Sequence, residues 1–171
     1  IDKNKDMTNP KKQIGEWKYD MLHLGYNYRL TNFQAALGIS QLKKINYFMK
    51  ERKKIVNFYN KELRDIKDII LPYEKRGFFS NFHLYVIRIN NTKKFNRFSL
   101  FNYLKKNNII SQVHYIPIHY LSYYKKKYSF NNNDFPEAKN YYDRALSLPL
   151  YPGLSSVELK KIVKVLKNYF K

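Results

Sequence analysis

Few side chains in this sequence could do chemistry, and their types narrow the choice. There is no cysteine, and the four histidines are His23, His83, His114 and His119. Disulfides, thiolate metal sites and cysteine nucleophiles are therefore excluded, and a reducing cytoplasm is the expected setting. No His-x-x-x-His pair with an acidic partner places zinc ligands on one helix face, so no metal site is expected. His114 and Tyr115 stand at the end of a strand-like run, two residues before Pro117, and Gln112 lies on the same run. Strand ends that feed loops are common places for ligand contacts in α/β folds. Strand alternation offers another reading, in which His114 is a hydrogen-bonded core histidine. His83 precedes an apolar strand and could simply cap its edge. His119 has no assigned role. Asn27, directly after Tyr26, suits a turn that needs a left-handed residue, and Arg29 could meet an anionic phosphate or an acidic neighbour.

The elements that must position these residues follow from hydrophobic spacing. Thr31 or Asn32 can cap a long helix over residues 31–70. Its apolar stripe runs through Phe33, Ala36, Leu37, Ile45, Phe48, Met49, Ile55, Val56, Tyr59 and Leu63, with Gly38 its one weak point. Leu71-Pro72 ends it. Phe82 to Ile89 has strand composition, a helix near 96–107 turns Phe98, Phe101 and Leu104 inward, and Ile109 to Tyr115 reads as a second strand closed by Pro117. Leu121 to Tyr128 gives one or two helical turns. Asp134 can cap a helix that starts near Pro136 and runs to about Leu146. Leu148 to Gly153 is extended and then turns. Ser155-x-x-Glu158 is a capping box that opens a last helix with the stripe Leu159, Ile162, Val163, Leu166 and Phe170. The expected class is α/β (α+β). Residues 1–30 form a loop segment, 31–70 a connecting helix and 71–171 a small domain. Two or three strands are few for an independent sheet, so this domain should lean on another part.

Composition limits the function classes. The 171 residues are 44% hydrophobic and 27% charged, as in a folded protein. No apolar run reaches bilayer-spanning length and no signal peptide opens the chain, so no membrane partner is expected. The formal net charge of +20 raises a non-catalytic nucleic-acid-binding module as one alternative. Lysine dominates arginine, however, and the cations are spread along the chain beside abundant Asn, Ile, Tyr and Phe. That is the signature of A/T-rich codons rather than of phosphate-reading arginine forks, so no nucleic-acid partner is expected. The positive field would still favour an anionic ligand. Aromatic residues make up 18%, including 17 Tyr, and core and interface packing accounts for them.

Several blocks, in order, carry a resemblance. They are Gly25-Tyr26-Asn27-Tyr28-Arg29-Leu30-Thr31, then Gln34-Ala35-Ala36-Leu37-Gly38 and Gln41-Leu42, then His83-Leu84-Tyr85. Gln112-Val113-His114-Tyr115-Ile116-Pro117-Ile118-His119, Phe135-Pro136-x-Ala138 and Leu146-Ser147-Leu148-Pro149-Leu150-Tyr151-Pro152-Gly153 complete the set. With these the chain resembles the DegT/DnrJ/EryC1/StrS aminotransferases, and within them the pseudaminic-acid pathway subgroup most. The resemblance implies a fold-type-I architecture: the C-terminal small domain preceded by a long helix, completed by a large N-terminal domain and paired as a homodimer. It implies pyridoxal 5'-phosphate as cofactor, glutamate as amino donor, and a UDP-linked 4-keto-6-deoxy-N-acetyl-hexosamine aminated at C4. The lysine that anchors the cofactor is expected upstream of Ile1, which reads like the middle of a loop, so the chain is expected to be a fragment that is inactive alone. By the same likeness Asn27 reaches the cofactor phosphate or substrate region across the dimer interface. Arg29, Gln112, His114, Tyr115 and His83 then fall to the sugar-nucleotide side. A split-gene product that only binds a sugar nucleotide remains a further alternative.

Overall fold

In the computed structural model the described residues are Tyr26 and residues 28–92, 94–131 and 133–171. They fall into two compact units, one ending at Leu42 and one running from Lys43 to Lys171. In the first unit α1 spans Asn32–Leu42. Thr31 caps it: the Gln34 amide donates to Thr31 Oγ1 at 3.3 Å, and the Thr31 amide donates back to Gln34 Oε1 at 3.0 Å. This reciprocal pair satisfies two donors that the first turn would otherwise leave open. α1 buries no residue. Phe33 is 85% exposed, and Leu37, Ile39 and Leu42 also face outward.

The second unit begins with α2, Ile45–Leu63. The single helix expected over 31–70 is thus two helices with a turn at Lys43 and Lys44. The physical reason lies in burial. A helix holds its course mainly by packing an apolar face, and no residue before Ile55 is buried among those described. The stripe that matters is Ile55, Val56, Tyr59 and Leu63.

Three strands follow: β1 Ile69–Ile70, β2 Tyr85–Ile89 and β3 Ala145–Leu148. They form one sheet in the order β1-β2-β3, both pairings antiparallel. β2 alternates cleanly, with Tyr85, Ile87 and Ile89 fully buried. In register, Tyr85 faces Leu148 and Ile87 faces Leu146, while Val86 faces Ser147 and Arg88 faces Ala145. Opposed residues project to the same side of a sheet. The first set therefore builds the core face, and Ser147 stands on the other face. The second strand expected at 109–115 is reduced to one bridge, Gln112 to Ser147. The alternation is present, since Ile109 is buried and Ile110 exposed, but only one residue pair forms before the chain leaves the sheet.

α3 (Arg97–Lys106), α4 (Ser122–Tyr128), α5 (Pro136–Arg144) and α6 (Ser156–Tyr169) complete the unit, with a short 3-10 turn at Ile118–Tyr120. Asn96 caps α3 by accepting from the Ser99 amide. Leu100 and Leu104 enter the core from α3, whereas Phe98, expected inward, is 73% exposed. The face of α3 set by the four-residue spacing of Leu100 and Leu104 leaves Phe98 off the buried side. Asp134 does not cap α5. Its carboxylate accepts from the Asn131 amide at 2.8 Å, and Phe135 takes the cap position without a side-chain bond, ahead of Pro136. The capping box of Ser155 and Glu158 forms as expected, and α6 buries Leu159, Ile162, Val163, Val165 and Leu166.

Two buried phenols tie α2 to the sheet. Tyr59 Oη donates to the Pro149 carbonyl at 3.0 Å, and Tyr85 Oη donates to Asn60 Oδ1 at 2.6 Å. Their rings lie 4.8 Å apart. Burial raises both pKa values well above the usual phenol range, with Tyr85 and Tyr151 adding to the shift at Tyr59. A raised folded-state pKa for a neutral acid favours the protonated fold. Once pH passes the unfolded value of 10.0, the unfolded chain loses protons that the fold keeps, and stability falls. The unfolding free energy read from urea denaturation should therefore drop between pH 9.5 and pH 11, by roughly 1.4 kcal/mol per pH unit per phenol at most. The double variant Tyr59→Phe, Tyr85→Phe should show a visibly shallower decline, and equal slopes in the two proteins would refute this origin.

Candidate functional site at the β3 edge

Ser147 sits at the centre of this site because the Leu146-Ser147-Leu148 alternation sends both leucines into the core and the serine to the opposite face. It is 4% exposed. Its main chain is clamped on the Gln112 side, with the Ser147 amide donating to the Gln112 carbonyl at 2.8 Å and the Gln112 amide donating to the Ser147 carbonyl at 3.1 Å. Two residues on, His114 lies on the same side as Gln112, and its Nδ1 is 2.8 Å from Ser147 Oγ. The Tyr115 ring meets the His114 ring edge-on at 4.7 Å, while its own surface is 77% exposed. The structure thus gathers Gln112, His114 and Tyr115 into one polar and aromatic edge. His114 is half-buried and held, so it is neither a loose surface side chain nor a core histidine.

Other expected site residues lie elsewhere. His83 is exposed, two residues before β2, and makes no hydrogen bond or ring contact among the described residues. Arg29 is exposed in the first unit and forms no ion pair among them. Asn27 and His23 lie outside the described residues. His119 is buried against the rings of Tyr120 and Phe135, at 4.5 and 4.8 Å, and its Nε2, like Ser111 Oγ, is buried without a hydrogen-bond partner among the described residues. Sequence reasoning passed over Ser147 and left His119 unassigned. A serine between two inward leucines was the available signal for the first. Nothing in the sequence marked the second.

The chemistry of the edge is that of neutral donors and an aromatic flank, which suits an oxygen-rich ligand. Gln112, His114, Tyr115 and Ser147 include no amine that could form an imine, and no cluster of three metal-ligating side chains occurs among the described residues. No helix among them is long and apolar enough to cross a membrane. Nothing in the edge would form a covalent bond to a pyridoxal ring.

Residues 3–167 match the DegT/DnrJ/EryC1/StrS aminotransferase family. The spore coat polysaccharide biosynthesis protein SpsC of Bacillus subtilis is 35% identical over 170 residues, covering 98% of this chain and 44% of that protein. The UDP-4-amino-4,6-dideoxy-N-acetyl-beta-L-altrosamine transaminase of Campylobacter jejuni serotype O:2 is 34% identical over 160 residues, covering 88% of this chain and 39% of that protein. Among solved structures, the putative sugar aminotransferase Spr1654 from Streptococcus pneumoniae in its PLP-form superposes with a TM-score of 0.80 at 30% identity. That superposition covers 92% of this chain and 40% of that one. The chain therefore spans about two fifths of the length of these relatives. With mixed helix and sheet, a match along nearly its whole length and this shared architecture, the chain belongs to the DegT/DnrJ/EryC1/StrS aminotransferase family.

Proposed function

We infer that this chain is the substrate-side part of a pyridoxal-phosphate-dependent enzyme. That enzyme moves an amino group from glutamate to C4 of a UDP-linked 4-keto-6-deoxy-N-acetyl-hexosamine, a precursor of surface glycans such as those containing pseudaminic acid. The observation that carries this reading is the family match over residues 3–167, joined to the likeness to a UDP-4-amino-4,6-dideoxy-N-acetyl-beta-L-altrosamine transaminase. Pyridoxal phosphate, when bound, supplies the electron sink and carries the amino group between the two substrates. The chain's own residues bind and orient. His114, Gln112 and Tyr115 line the sugar-nucleotide side, where a donor and an aromatic edge hold a phosphate- and carbonyl-rich ligand. In a homodimer Asn27 would hold the cofactor phosphate through its side-chain amide, and Arg29 would add positive charge for the diphosphate. His83, exposed and without a hydrogen bond or ring contact among the described residues, adds a further donor on the sugar-nucleotide side. The rest of the enzyme, including the lysine that holds the cofactor, belongs to a large domain outside this sequence.

The test uses the complete protein carrying this chain, supplied with glutamate and the UDP-4-keto sugar. Formation of 2-oxoglutarate and an amino sugar in equal amounts is the expected result, together with cofactor absorbance that glutamate bleaches. A GDP-linked 4-keto sugar in parallel should react at least about tenfold less efficiently, the discrimination that a few base-specific hydrogen bonds provide. Preference for the GDP sugar would displace the UDP reading, and no amino transfer to either sugar would overturn the proposal.

A further inference from the structure

We propose that Ser147 is a positioning residue that holds His114 as its Nε2–H tautomer, so that His114 meets its ligand as a hydrogen-bond donor. The proposal deepens the sugar-nucleotide reading and rests on it only for the ligand. Ser147 is almost fully buried, and its amide and carbonyl are both engaged by Gln112, so its hydroxyl has a fixed origin. That hydroxyl makes one hydrogen bond among the described residues, to His114 Nδ1 at 2.8 Å. The bond could run either way. If Nδ1–H donated, the serine hydrogen would have no acceptor among the described residues on a side chain whose residue is only 4% exposed, and a buried donor left open is costly. If the hydroxyl donates instead, both groups are satisfied, and the imidazole must carry its proton on Nε2. The edge-on Tyr115 ring limits rotation of the imidazole from another side.

An Nε2–H group on a half-buried ring suits a ligand that presents acceptors: diphosphate oxygens, a uracil carbonyl or a keto oxygen. The opposite tautomer would offer a lone pair, which such groups cannot use. Ser147 touches no ligand in this account and acts only by fixing which nitrogen of His114 bears hydrogen. The sheet explains why the fixed group is a serine. Its neighbours Leu146 and Leu148 serve the core, and Ser147, on the opposite face, meets His114.

The experiment labels histidine rings with 13C and 15N in the complete protein, with His114 assigned by the signal lost in His114→Gln. The expected ring shifts are those of the Nε2–H form. In Ser147→Ala the preference should be lost, and KM for the sugar nucleotide should rise about fivefold while kcat stays within about twofold. Ser147→Thr, which keeps the hydroxyl, should restore both readouts. A wild-type His114 in the Nδ1–H form overturns the proposal whether or not the alanine variant folds. So does a lost tautomer with unchanged KM. If the complete protein performs no amino transfer, the functional reading above falls, and the wild-type ring shifts still decide this one.

Discussion

Replacing Ile87 by alanine should lower the unfolding free energy of the second unit by about 2–5 kcal/mol, the range for deleting a large aliphatic side chain from a closed core. Ile87 lies at the middle of β2, is fully buried, and faces Leu146 across the β2–β3 pairing. Its side chain belongs to one cluster with Tyr59 and Leu63 of α2, Leu100 and Leu104 of α3, and Leu159 to Leu166 of α6. Strand main chain is the least able to shift inward and fill a void, because its hydrogen bonds on both sides fix it. The loss should therefore exceed the transfer cost of the removed methylene and methyl groups alone. Urea denaturation followed by circular dichroism reads the change. A fall below about 1 kcal/mol would mean that the cluster collapses around the gap, and that the three helices are not held by this strand.

The second large effect concerns activity. His114→Ala in the complete enzyme should reduce kcat/KM by roughly 10–100-fold, since a donor to a charged or strongly polarised oxygen contributes about 1.5–3 kcal/mol. The thermal midpoint should move by no more than about 3 °C, because His114 is half-buried and its one side-chain hydrogen bond among the described residues is to a serine. Steady-state kinetics with glutamate held saturating separates the outcomes. An unchanged kcat/KM with a lowered midpoint would assign His114 to structure alone.

What could be read from the sequence follows how local each signal is. The Ser155 and Glu158 capping box, the α6 stripe and the Pro136 helix start are each decided within a few residues, and each stands where the spacing put it. The family blocks were equally local, and they carried the reading of Gln112, His114 and Tyr115 as one group. What was not legible depends on partners distant in sequence. The stripe from Phe33 to Met49 looked buried because its period was helical, but periodicity records only that a face could be covered. The second strand had the right alternation and still made one bridge, because a ladder needs a neighbour in register over several residues. Asp134 was a good cap by type, yet the Asn131 amide competes for its carboxylate. Ser147 escaped notice for a similar reason, since its meaning comes from a residue 33 positions away.

The exposed side chains of α1 have a practical consequence. Every buried residue among those described lies at or beyond Ile55, so a recombinant protein starting at Lys43 would retain every described residue of the hydrophobic core. It would shed an eleven-residue helix that is too short to persist on its own in water and that displays a greasy surface prone to self-association. For crystallisation or isotope labelling of the small unit alone, that cut site is where solubility and integrity stop competing.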